Sequence, residues 1–373
     1  MSSRKIAVLG GGHGARTTAA DMALLGHDVT LFEFERFHVN VAEIFKGRTI
    51  SISGKVREGK AKLALCTHHI AQAVRDVDLI LIIVPSLYHR DYAEALAPVL
   101  KSGQHVVLIP GTFGSLEFMT IIRQKGCTAE ITVSEVDTLP YATRITGPAS
   151  VNVYHALPVF GMGVFPADRT GEVLSLFKDL YPTVNSFRDV LEAGLSNCNP
   201  VIHPLGVLLN AGRIEYARGE FWYYEEGVTP SVARATEALD RERMEIGAKL
   251  GLNLPDQATA LHAVGYGPKG DLWEVLKASK GLTPIKGPTS LTNRYVTEDI
   301  PIGLVCWCEL GEQLGVTTPL MRATIAIGSA ISGVDYWKTG RTIERCGIKL
   351  MSAEEIVYYA KTGKKRRQTF GPT

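Results

Sequence analysis

A turn of small residues near the N-terminus constrains the fold of this chain more than any other feature. It follows an apolar run, Lys5–Leu9, that is typical of a buried strand, and it opens a helical pattern. Its spacing is G-x-G-x-x-A, and its residues are Gly10, Gly12, His13, Gly14 and Ala15. The first glycine permits a tight turn, the second lets the backbone approach a diphosphate, and the small last residue lets the helix pack closely on the strand. Because a helix N-terminus attracts negative charge, the turn predicts a dinucleotide-binding site.

An acidic residue after the second predicted strand supports this interpretation. Glu33 ends the strand Asp28–Glu33, roughly 20 residues after the first glycine, where a carboxylate can accept hydrogen bonds from the adenosine ribose. A carboxylate there also repels a 2′-phosphate, so the sequence favours NAD(H) over NADP(H). Arg16 and Arg36 lie close by in the sequence and keep NADP(H) as an alternative.

Short strands and helices alternate along residues 1–135. Further predicted strands are Asp78–Val84, His105–Ile109 and Glu130–Ser134, and the predicted helices are Thr17–Leu25, Tyr88–Leu100 and Ser115–Gln124. Such alternation indicates a parallel, doubly wound sheet. Ligands of these sheets lie beyond the carboxyl ends of the strands. Pro85 and Ser86, which follow one such strand, are therefore expected to border the dinucleotide.

The pattern becomes mostly helical after residue 190. The predicted helices there are Pro204–Arg218, Ser231–Leu250, Ile302–Leu314 and Pro319–Ile331. We therefore predict an α/β fold with two domains. An N-terminal Rossmann domain with a doubly wound parallel sheet spans residues 1–187, and a second, mostly α-helical domain spans residues 188–373.

The composition argues against several other classes of protein. With 40 Lys and Arg against 38 Asp and Glu, the net charge is +2, so no overall field points to nucleic acid or to an anionic membrane. No apolar stretch of about 18 residues occurs, so we expect a soluble, cytoplasmic protein. The six cysteines are scattered without the spacing of metal ligands, which indicates core thiols and no metal site.

His203 is the candidate for acid–base chemistry in the second half. It lies in the segment NCNPVIHPL, and Pro204 suits the first turn of a helix. We therefore expect His203 at a helix entrance, where it can face a cleft. Imidazole titrates near neutral pH and can both accept and donate a proton. Sequence position alone leaves a structural or exposed histidine as an alternative.

Five segments resemble the opine dehydrogenases of the octopine/nopaline and carboxyethyl-ornithine type, and the likeness extends from Lys5 to about Gly347. They are IAVLGGGHGA, LIIVPSLYHRDYAEAL, SNCNPVIHPLGVLLNAGR, GPTSLTNRYVTEDIPIGLV and CELGEQLGVTTPLM. The resemblance implies a Rossmann domain followed by a helical domain, with substrates in the cleft between them, and a homodimer. It also implies an enzyme that joins the amine of an amino acid to a 2-oxo acid and reduces the imine with NAD(P)H. In this family resemblance His203 is the catalytic histidine and Asp299 its carboxylate partner.

The chain departs from the family in the glycine turn, where His13 and Ala15 stand in place of the common Asn and Gly. This difference leaves the effect on cofactor preference open.

The product of such a reaction carries at least two carboxylates, which need cationic or polar partners. Arg294, in the same segment as Asp299, is a candidate clamp for one of them, with a surface or ion-paired arginine as the equal alternative. Asn199 could bond substrate or the nicotinamide amide, or could simply form a turn before a proline. Weaker candidates are Glu135, Arg144, Asn210 and Arg213. The aromatic run Phe221–Tyr224 predicts a substrate-side loop or an interface contact.

Two other functions remain open at this level. An alcohol or 2-hydroxy acid dehydrogenase of the glycerol-3-phosphate dehydrogenase-like superfamily would share the Rossmann domain, but such enzymes usually use a lysine of the helical domain. The lysines of that half lack a comparable motif, whereas His203 has one; they are Lys249, Lys277, Lys280 and Lys286. A protein that senses NAD(H) without turnover would also fit the fold. The presence of both His203 and Asp299 argues against it.

Overall fold

The computed structural model describes residues 3–366, which form two compact units. The first unit holds residues 3–194 and 359–365, and the second holds residues 195–358 and 366. The first is built on β-sheets and the second on helices, so the predicted α/β fold, with an N-terminal parallel sheet and a helical second part, is confirmed. The units divide between Gly194 and Leu195, and the limits 1–187 and 188–373 stay a prediction about the functional domains.

The first unit is organised around one large sheet. The strands of this unit are β1 Lys5–Leu9, β2 Asp28–Phe32, β3 Thr49–Gly54, β4 Gly59–Lys62, β5 Leu65–Thr67, β6 Leu79–Ile82, β7 His105–Leu108, β8 Thr132–Val136, β9 Tyr141–Gly147, β10 Ser150–Ala156, β11 Phe160–Phe165 and β12 Val184–Ser186. Eight of them form the sheet in the order β12-β11-β8-β7-β6-β1-β2-β5. Neighbouring strands are parallel except β8 and β11.

Helices accompany this sheet: α1 His13–Leu24, α2 His38–Gly47, α3 Ile70–Ala73, α4 His89–Leu96, α5 Gly114–Gln124, α6 Thr170–Lys178 and α7 Val190–Ser196. The central strands β6 and β7 are buried along their whole length, as unbroken apolar strands of a parallel sheet should be. The predicted strand Lys5–Leu9 matches β1, and each other element predicted for residues 1–135 overlaps an observed one.

A second sheet in this unit was not predicted. Its four strands have the order β4-β3-β10-β9, and α1 packs against it. Its strands alternate buried and exposed residues and carry little apolar sequence, as in TISISG and GKAK. The parallel pair β3 and β10 also joins segments far apart in the chain, such as Ile52 and Val151. Periodicity within a short window cannot detect such a pairing.

The second unit consists of helices. They are α8 Asn199–Leu208, α9 Ala211–Ala217, α10 Pro230–Lys249, α11 Gln257–Ala263, α12 Leu272–Lys277, α13 Arg294–Thr297, α14 Val305–Gln313, α15 Pro319–Ser332, α16 Tyr336–Thr339 and α17 Ala353–Thr362, the last of which ends in residues of the first unit. The Thr229 side chain caps α10 by accepting from the Val232 N–H, and Gly333 ends α15 at φ +64. Proline and glycine therefore mark helix ends here as the sequence indicates.

One predicted helix was wrong in its limits. Pro204 does not begin a helix that runs to Arg218, because α8 begins at Asn199 and ends at Leu208, and α9 follows as a separate helix. Pro200 occupies the first turn instead, which leaves Pro204 inside α8 without an N–H for the ladder. Residues Pro200–Leu208 are all buried, so tertiary packing holds a helix that local propensity disfavours.

Two short π-helical segments, Tyr223–Gly227 and Asp299–Leu304, lie in the second unit. The second of them precedes α14, which is why the predicted helix Ile302–Leu314 overlaps only partly with α14. Segments of this kind are rare and occur often at functional sites. All four tryptophans of the sequence also belong to this unit: Trp222, Trp273, Trp307 and Trp337. No helix among residues 3–366 combines the length and apolarity needed to cross a bilayer.

Candidate active site

The glycine turn between β1 and α1 has the geometry that its sequence predicts. Gly10 has φ +118, and a Cβ there would lie 2.7 Å from the Ile83 carbonyl oxygen, so a side chain is excluded. Gly12 caps α1, and within residues 3–366 no atom outside its immediate neighbours comes within 4 Å of a Cβ built on it. Ala15 is fully buried in the first turn of α1. The turn thus presents bare backbone at a helix N-terminus, which fits a diphosphate.

A cavity of about 470 Å³ opens beside this turn. Its walls come from the glycine turn, the segment after β2, the end of β6 and the β9–β10 turn; among its lining residues are Gly12, His13, Glu33, Arg36, Phe37, Pro85, Tyr88 and Pro148. Four of the predicted cofactor residues therefore line the cavity: Gly12, His13, Glu33 and Pro85. The other four, Gly10, Gly14, Ala15 and Ser86, lie outside this lining and shape the turns behind it.

Glu33 lies at the carboxyl end of β2, buried beneath the glycine turn. Its Oε1 accepts the Phe34 N–H at 2.8 Å and the Tyr92 hydroxyl at 3.3 Å. A Cβ on Gly11 would lie 2.8 Å from its Oε2. Burial raises the pKa of Glu33, and these hydrogen bonds partly oppose the shift. The two hydrogen bonds therefore fix the orientation of the Glu33 side chain at the end of β2.

The two nearby arginines differ in what occupies their guanidinium groups. Arg16 is buried and donates to the backbone carbonyls of Gly11 at 2.7 Å, Pro148 at 3.0 Å and Asn40. Arg36 is half exposed, forms an ion pair with Asp91 and lies 4.7 Å from the Phe34 ring centroid. Arg16 therefore joins three backbone segments, whereas Arg36 stands at the rim of the cavity.

His13 connects the glycine turn to the second sheet. Its Nδ1 accepts the Ile145 N–H at 2.8 Å, so the neutral ring carries its proton on Nε2. Burial lowers the pKa of His13, and the positive charges of Arg144 and Arg16 lower it further. An imidazole therefore lines the cavity at the position where the family resemblance leads us to expect asparagine.

The second group of candidates surrounds His203 in the helical unit. His203 lies within α8, one turn after its first residue, so the expectation that it stands at a helix entrance was wrong. Its Nδ1 is 2.7 Å from Asp299 Oδ2 at the start of the π-helical segment Asp299–Leu304. Both residues are 5% exposed. Because a carboxylate accepts the hydrogen bond, Nδ1 carries the proton of the neutral ring and Nε2 is its acceptor. Burial lowers the pKa of His203, and the bond to Asp299 opposes the shift.

Three tyrosines hold the imidazole. Tyr295 stacks on the His203 ring with centroids 3.7 Å apart and planes at 15°. The Tyr224 hydroxyl is 3.2 Å from Nε2, and the Tyr223 hydroxyl donates to the His203 carbonyl oxygen at 3.0 Å. Gly206 lets Tyr223 approach α8, because a Cβ there would overlap the Tyr223 hydroxyl. The ring, both ring nitrogens and the backbone of His203 are therefore all fixed.

The predicted substrate residues lie in the same unit. Arg294 begins α13; its side chain is 57% exposed and comes within 3.8 Å of Glu298. Its positive charge contributes to lowering the pKa of His203. Asn199 begins α8 one turn before His203, and its backbone N–H donates to Asn197 Oδ1. Arg294 thus presents an accessible guanidinium beside the histidine.

The weaker candidates have structural contacts. Glu135 is fully buried and accepts the Phe113 N–H, the Ser115 N–H and the Ser115 hydroxyl, so it holds the start of α5. Asn210 donates to the Gly206 and Gly227 carbonyls, and Arg213 pairs with Glu226. Arg144 is exposed on β9 and donates to the Thr143 carbonyl.

Sequence reasoning missed the roles of Tyr224 and Tyr295 around the histidine, and it missed Asp137 altogether. The aromatic run signalled Tyr224 only as a wall or an interface, and nothing in the local pattern signalled Tyr295. Asp137 follows β8 and accepts the Gly161 N–H at 3.0 Å, and burial raises its pKa to about 7. In the part of the chain that the structure describes, no cluster of three or more His, Cys, Asp or Glu side chains could hold a metal ion.

Comparison with known proteins agrees with this arrangement. A family model described as NAD/NADP octopine/nopaline dehydrogenase, alpha-helical domain, matches residues 186–332, and one described as ketopantoate reductase PanE/ApbA matches residues 6–153. A solved structure of octopine dehydrogenase with NADH and L-arginine superposes with a TM-score of 0.80 at 20% identity, covering 98% of this chain and 99% of that one. Yersinopine dehydrogenase with NADP⁺ bound gives 0.74 at 14% identity, covering 93% and 97%. These two likenesses establish the fold.

Sequence similarity also identifies the family. An opine dehydrogenase of Arthrobacter sp. (strain 1C) is 34% identical over 358 residues, which cover 95% of this chain and 98% of that protein. Vitopine synthase of Allorhizobium ampelinum is 29% identical over 91% of this chain and 94% of its own length. Similarity that extends over both units, with the histidine and carboxylate in contact in the second, shows that the chain belongs to the opine dehydrogenase family of NAD(P)H-dependent oxidoreductases acting on CH–NH groups.

Proposed function

We propose that this enzyme condenses the amine of an amino acid with a 2-oxo acid and reduces the imine to an N-(carboxyalkyl) amino acid, with His203 as the acid–base catalyst. The observation that carries the proposal is the buried contact of His203 Nδ1 with Asp299 Oδ2 at 2.7 Å. A carboxylate there orients the ring and stabilises the imidazolium that forms when Nε2 takes a proton.

The chemistry requires a group that both accepts and donates a proton. An amino acid arrives as an ammonium ion and must lose a proton before it can attack the carbonyl carbon. The resulting carbinolamine must gain a proton on its hydroxyl before water leaves. Because burial lowers its pKa, His203 is neutral at the start and can act first as the base. When bound, the reduced nicotinamide supplies the hydride to the imine carbon.

Arg294 and Asn199 are the residues we assign to substrate. A guanidinium can bind a carboxylate through two parallel hydrogen bonds, and that of Arg294 is accessible. Asn199 precedes His203 by one helical turn, so the two side chains leave α8 on the same face. We assign the Arg294 guanidinium to a substrate carboxylate and the Asn199 amide to a polar group of substrate or cofactor.

For the cofactor we favour NAD(H), with NADP(H) as the alternative. We assign its binding to Gly10, Gly12, His13, Gly14, Ala15, Glu33, Pro85 and Ser86. The negative charge of Glu33 disfavours a 2′-phosphate, while Arg36 at the rim of the cavity could accommodate one. Octopine dehydrogenase has been solved with NADH and yersinopine dehydrogenase with NADP⁺, so the family fold accepts both.

Reduction of a 2-oxo acid without an amine is the second candidate. It is favoured by the ketopantoate reductase model that matches residues 6–153. A histidine paired with a carboxylate could also protonate an alcohol oxygen. The difference lies in whether turnover needs an amine.

The test is NADH and NADPH oxidation across a matrix of 2-oxo acids and amino acids. We expect turnover only when both substrates are present, and turnover with an oxo acid alone would support the second candidate instead. The His203→Ala variant should retain cofactor binding and lose turnover by a factor of about 10² to 10⁴. The matched control is His262→Ala, because His262 is exposed and bonds only a backbone carbonyl among its described contacts. Equal turnover of the two variants would remove His203 from the mechanism.

A homodimer and a cytoplasmic location stay predictions that rest on family resemblance and composition. Light scattering of the purified protein tests the first, and cell fractionation tests the second. A monomer at micromolar concentration would contradict the dimer.

A further inference from the structure

The Tyr224 hydroxyl is hydrogen-bonded to His203 Nε2, the ring nitrogen that the proposed chemistry needs. It lies 3.2 Å from His203 Nε2, and both residues are 5% exposed. Since Nδ1 carries the proton that faces Asp299, Nε2 has only its lone pair to offer, so the phenol O–H is the donor. The Tyr224 oxygen is therefore the described hydrogen-bond partner of Nε2, and it offers a direct path for a proton that reaches or leaves this nitrogen.

The surrounding contacts oppose such a movement. Tyr224 belongs to the π-helical segment Tyr223–Gly227, whose first N–H donates to the Ile285 carbonyl at 2.9 Å. At the other end, Asn210 Nδ2 donates to the Gly227 carbonyl at 2.9 Å. The Tyr224 ring also packs edge-on against Tyr223, with centroids 4.9 Å apart and planes at 86°. The segment is held at both ends, and the phenol is held by its neighbour.

The imidazole cannot turn to present another atom either. Its ring is stacked on Tyr295 at 3.7 Å, and Nδ1 is bonded to Asp299. Rotation would break both contacts and leave a carboxylate buried without its partner, which costs far more than one neutral hydrogen bond. The fixed chain of atoms is thus Asp299 carboxylate, His203 imidazole and Tyr224 phenol.

We propose that Tyr224 is a catalytic residue that relays protons between His203 and the substrate. This inference rests on the proposed function. In the first step an ammonium N–H bond of the amino acid breaks and its proton joins the Tyr224 oxygen, while the phenol proton moves to Nε2. The products are a neutral amine and an imidazolium opposite Asp299. The amine then attacks the carbonyl carbon, and a proton shift from nitrogen to oxygen gives the carbinolamine.

In the second step the protons return by the same path. Nε2–H gives its proton to the phenol oxygen as the phenol proton passes to the carbinolamine hydroxyl. The C–O bond breaks, water leaves, and the iminium that accepts the hydride remains. His203 and Tyr224 regain their starting forms. Because the phenol gives up one proton to a bonded partner as it gains another, the two proton transfers of each step occur together. Burial, which raises the pKa of Tyr224, also disfavours a phenolate.

The groups around His203 define what a pH profile reports. Asp299 and Arg294 are the charged groups that act on its pKa, and the titratable rings against it are Tyr224 and Tyr295. In the neutral state the phenol donates to Nε2, which stabilises the unprotonated ring. Loss of this donor raises the pKa of His203, so the acid limb of the activity profile moves to higher pH.

The experiment compares Tyr224→Phe with Tyr266→Phe in the full-length enzyme, using the most active pair of substrates. Tyr266 is a half-buried tyrosine of the same unit, and we assign it no role in proton transfer. We expect Tyr224→Phe to lower kcat by about 10² or more and to shift the acid limb upward. Its melting temperature and its affinity for the reduced cofactor should match those of the wild type.

Several results would overturn the relay. They are turnover of Tyr224→Phe within threefold of the wild type, an equal loss in Tyr266→Phe, or a loss of kcat with an unmoved acid limb. Any of these with His203→Ala still inactive would reject the relay and leave the proposed function intact. Turnover retained in His203→Ala would instead reject the proposed function itself.

Discussion

At the scale of single residues, the pairing of His203 with Asp299 could be predicted from family resemblance but not from physics. The two lie in different segments, and only the fold brings Nδ1 and Oδ2 to 2.7 Å. The stacking of Tyr295 and the bond from Tyr224 could not be predicted, because both depend on rotamers and Tyr224 lies in a π-helical segment that leaves no periodic signal. The sequence therefore indicated His203 as the candidate acid–base group and did not indicate the side chains that hold it.

The charge of Asp299 should set the pH dependence of the enzyme. His203 has a lowered pKa, so its base form is present above that value and the condensation rate falls as pH drops through it. Asp299→Asn removes the carboxylate that stabilises the imidazolium. We expect the acid limb to move to lower pH and kcat to fall by about 10² or more. A kcat profile from pH 5 to 9 measures both, with the exposed helix cap Asp271→Asn as control. A shift of the acid limb to higher pH in Asp299→Asn would contradict this account.

The guanidinium geometry of Arg294 should affect substrate binding more than catalysis. Arg294→Lys keeps the charge and loses the planar pair of donors. We expect the KM of one carboxylate substrate to rise by about 10-fold or more, with a smaller change in kcat, since a bidentate contact is worth roughly 1.5–3 kcal/mol. Steady-state kinetics with each substrate varied in turn would identify which carboxylate it binds. Unchanged KM values for both substrates would mean that Arg294 is a surface arginine with no role in substrate binding.

At the scale of secondary structure elements, prediction succeeded where apolar runs and helix caps carry the signal. The strand β1 and the limits of α10 and α15 follow from apolar residues, prolines and glycines. It failed for α8, where Pro204 lies inside a buried helix, and for the second sheet, whose strands are short and half polar. In both cases contacts distant in the sequence override local preference.

A pair of glycines in neighbouring helices tests how closely Tyr223 approaches α8. Glycine-to-alanine exchange inside a helix normally stabilises by about 0.5–1 kcal/mol. We expect that gain for Gly212→Ala in α9, where no atom outside the helix lies within 4 Å of the new Cβ in the described structure. Gly206→Ala should instead destabilise, because its Cβ meets the Tyr223 hydroxyl, and should lower kcat as well.

Denaturant titration and activity assays of both glycine variants measure these effects. If Gly206→Ala were as stable and as active as Gly212→Ala, the contact between Tyr223 and α8 would have no energetic weight.

At the scale of the whole molecule, a partly buried carboxyl makes stability depend on pH. The pKa of Asp137 is raised to about 7, so the fold favours its protonated form. Stability is therefore lost as pH rises from the unfolded value near 3.8 through 7, and is constant above that. Asp137→Asn keeps the acceptor for the Gly161 N–H and removes the charge. We expect the variant to be more stable than the wild type by roughly 4 kcal/mol at pH 8 and equal to it near pH 4.

Melting curves of both proteins across this range provide the measurement. A variant less stable than the wild type at pH 8 would mean that the carboxylate is ionised and well solvated in the fold.

The placement of the tryptophans has a practical consequence for such measurements. All four tryptophans belong to residues 195–358. Tryptophan fluorescence excited at long wavelength therefore reports on the helical unit and carries no signal from the unit that holds the sheets. Calorimetry or circular dichroism records the two together. Disagreement between an emission-detected transition and a calorimetric one would therefore show that the halves melt separately, a distinction that neither signal alone reveals.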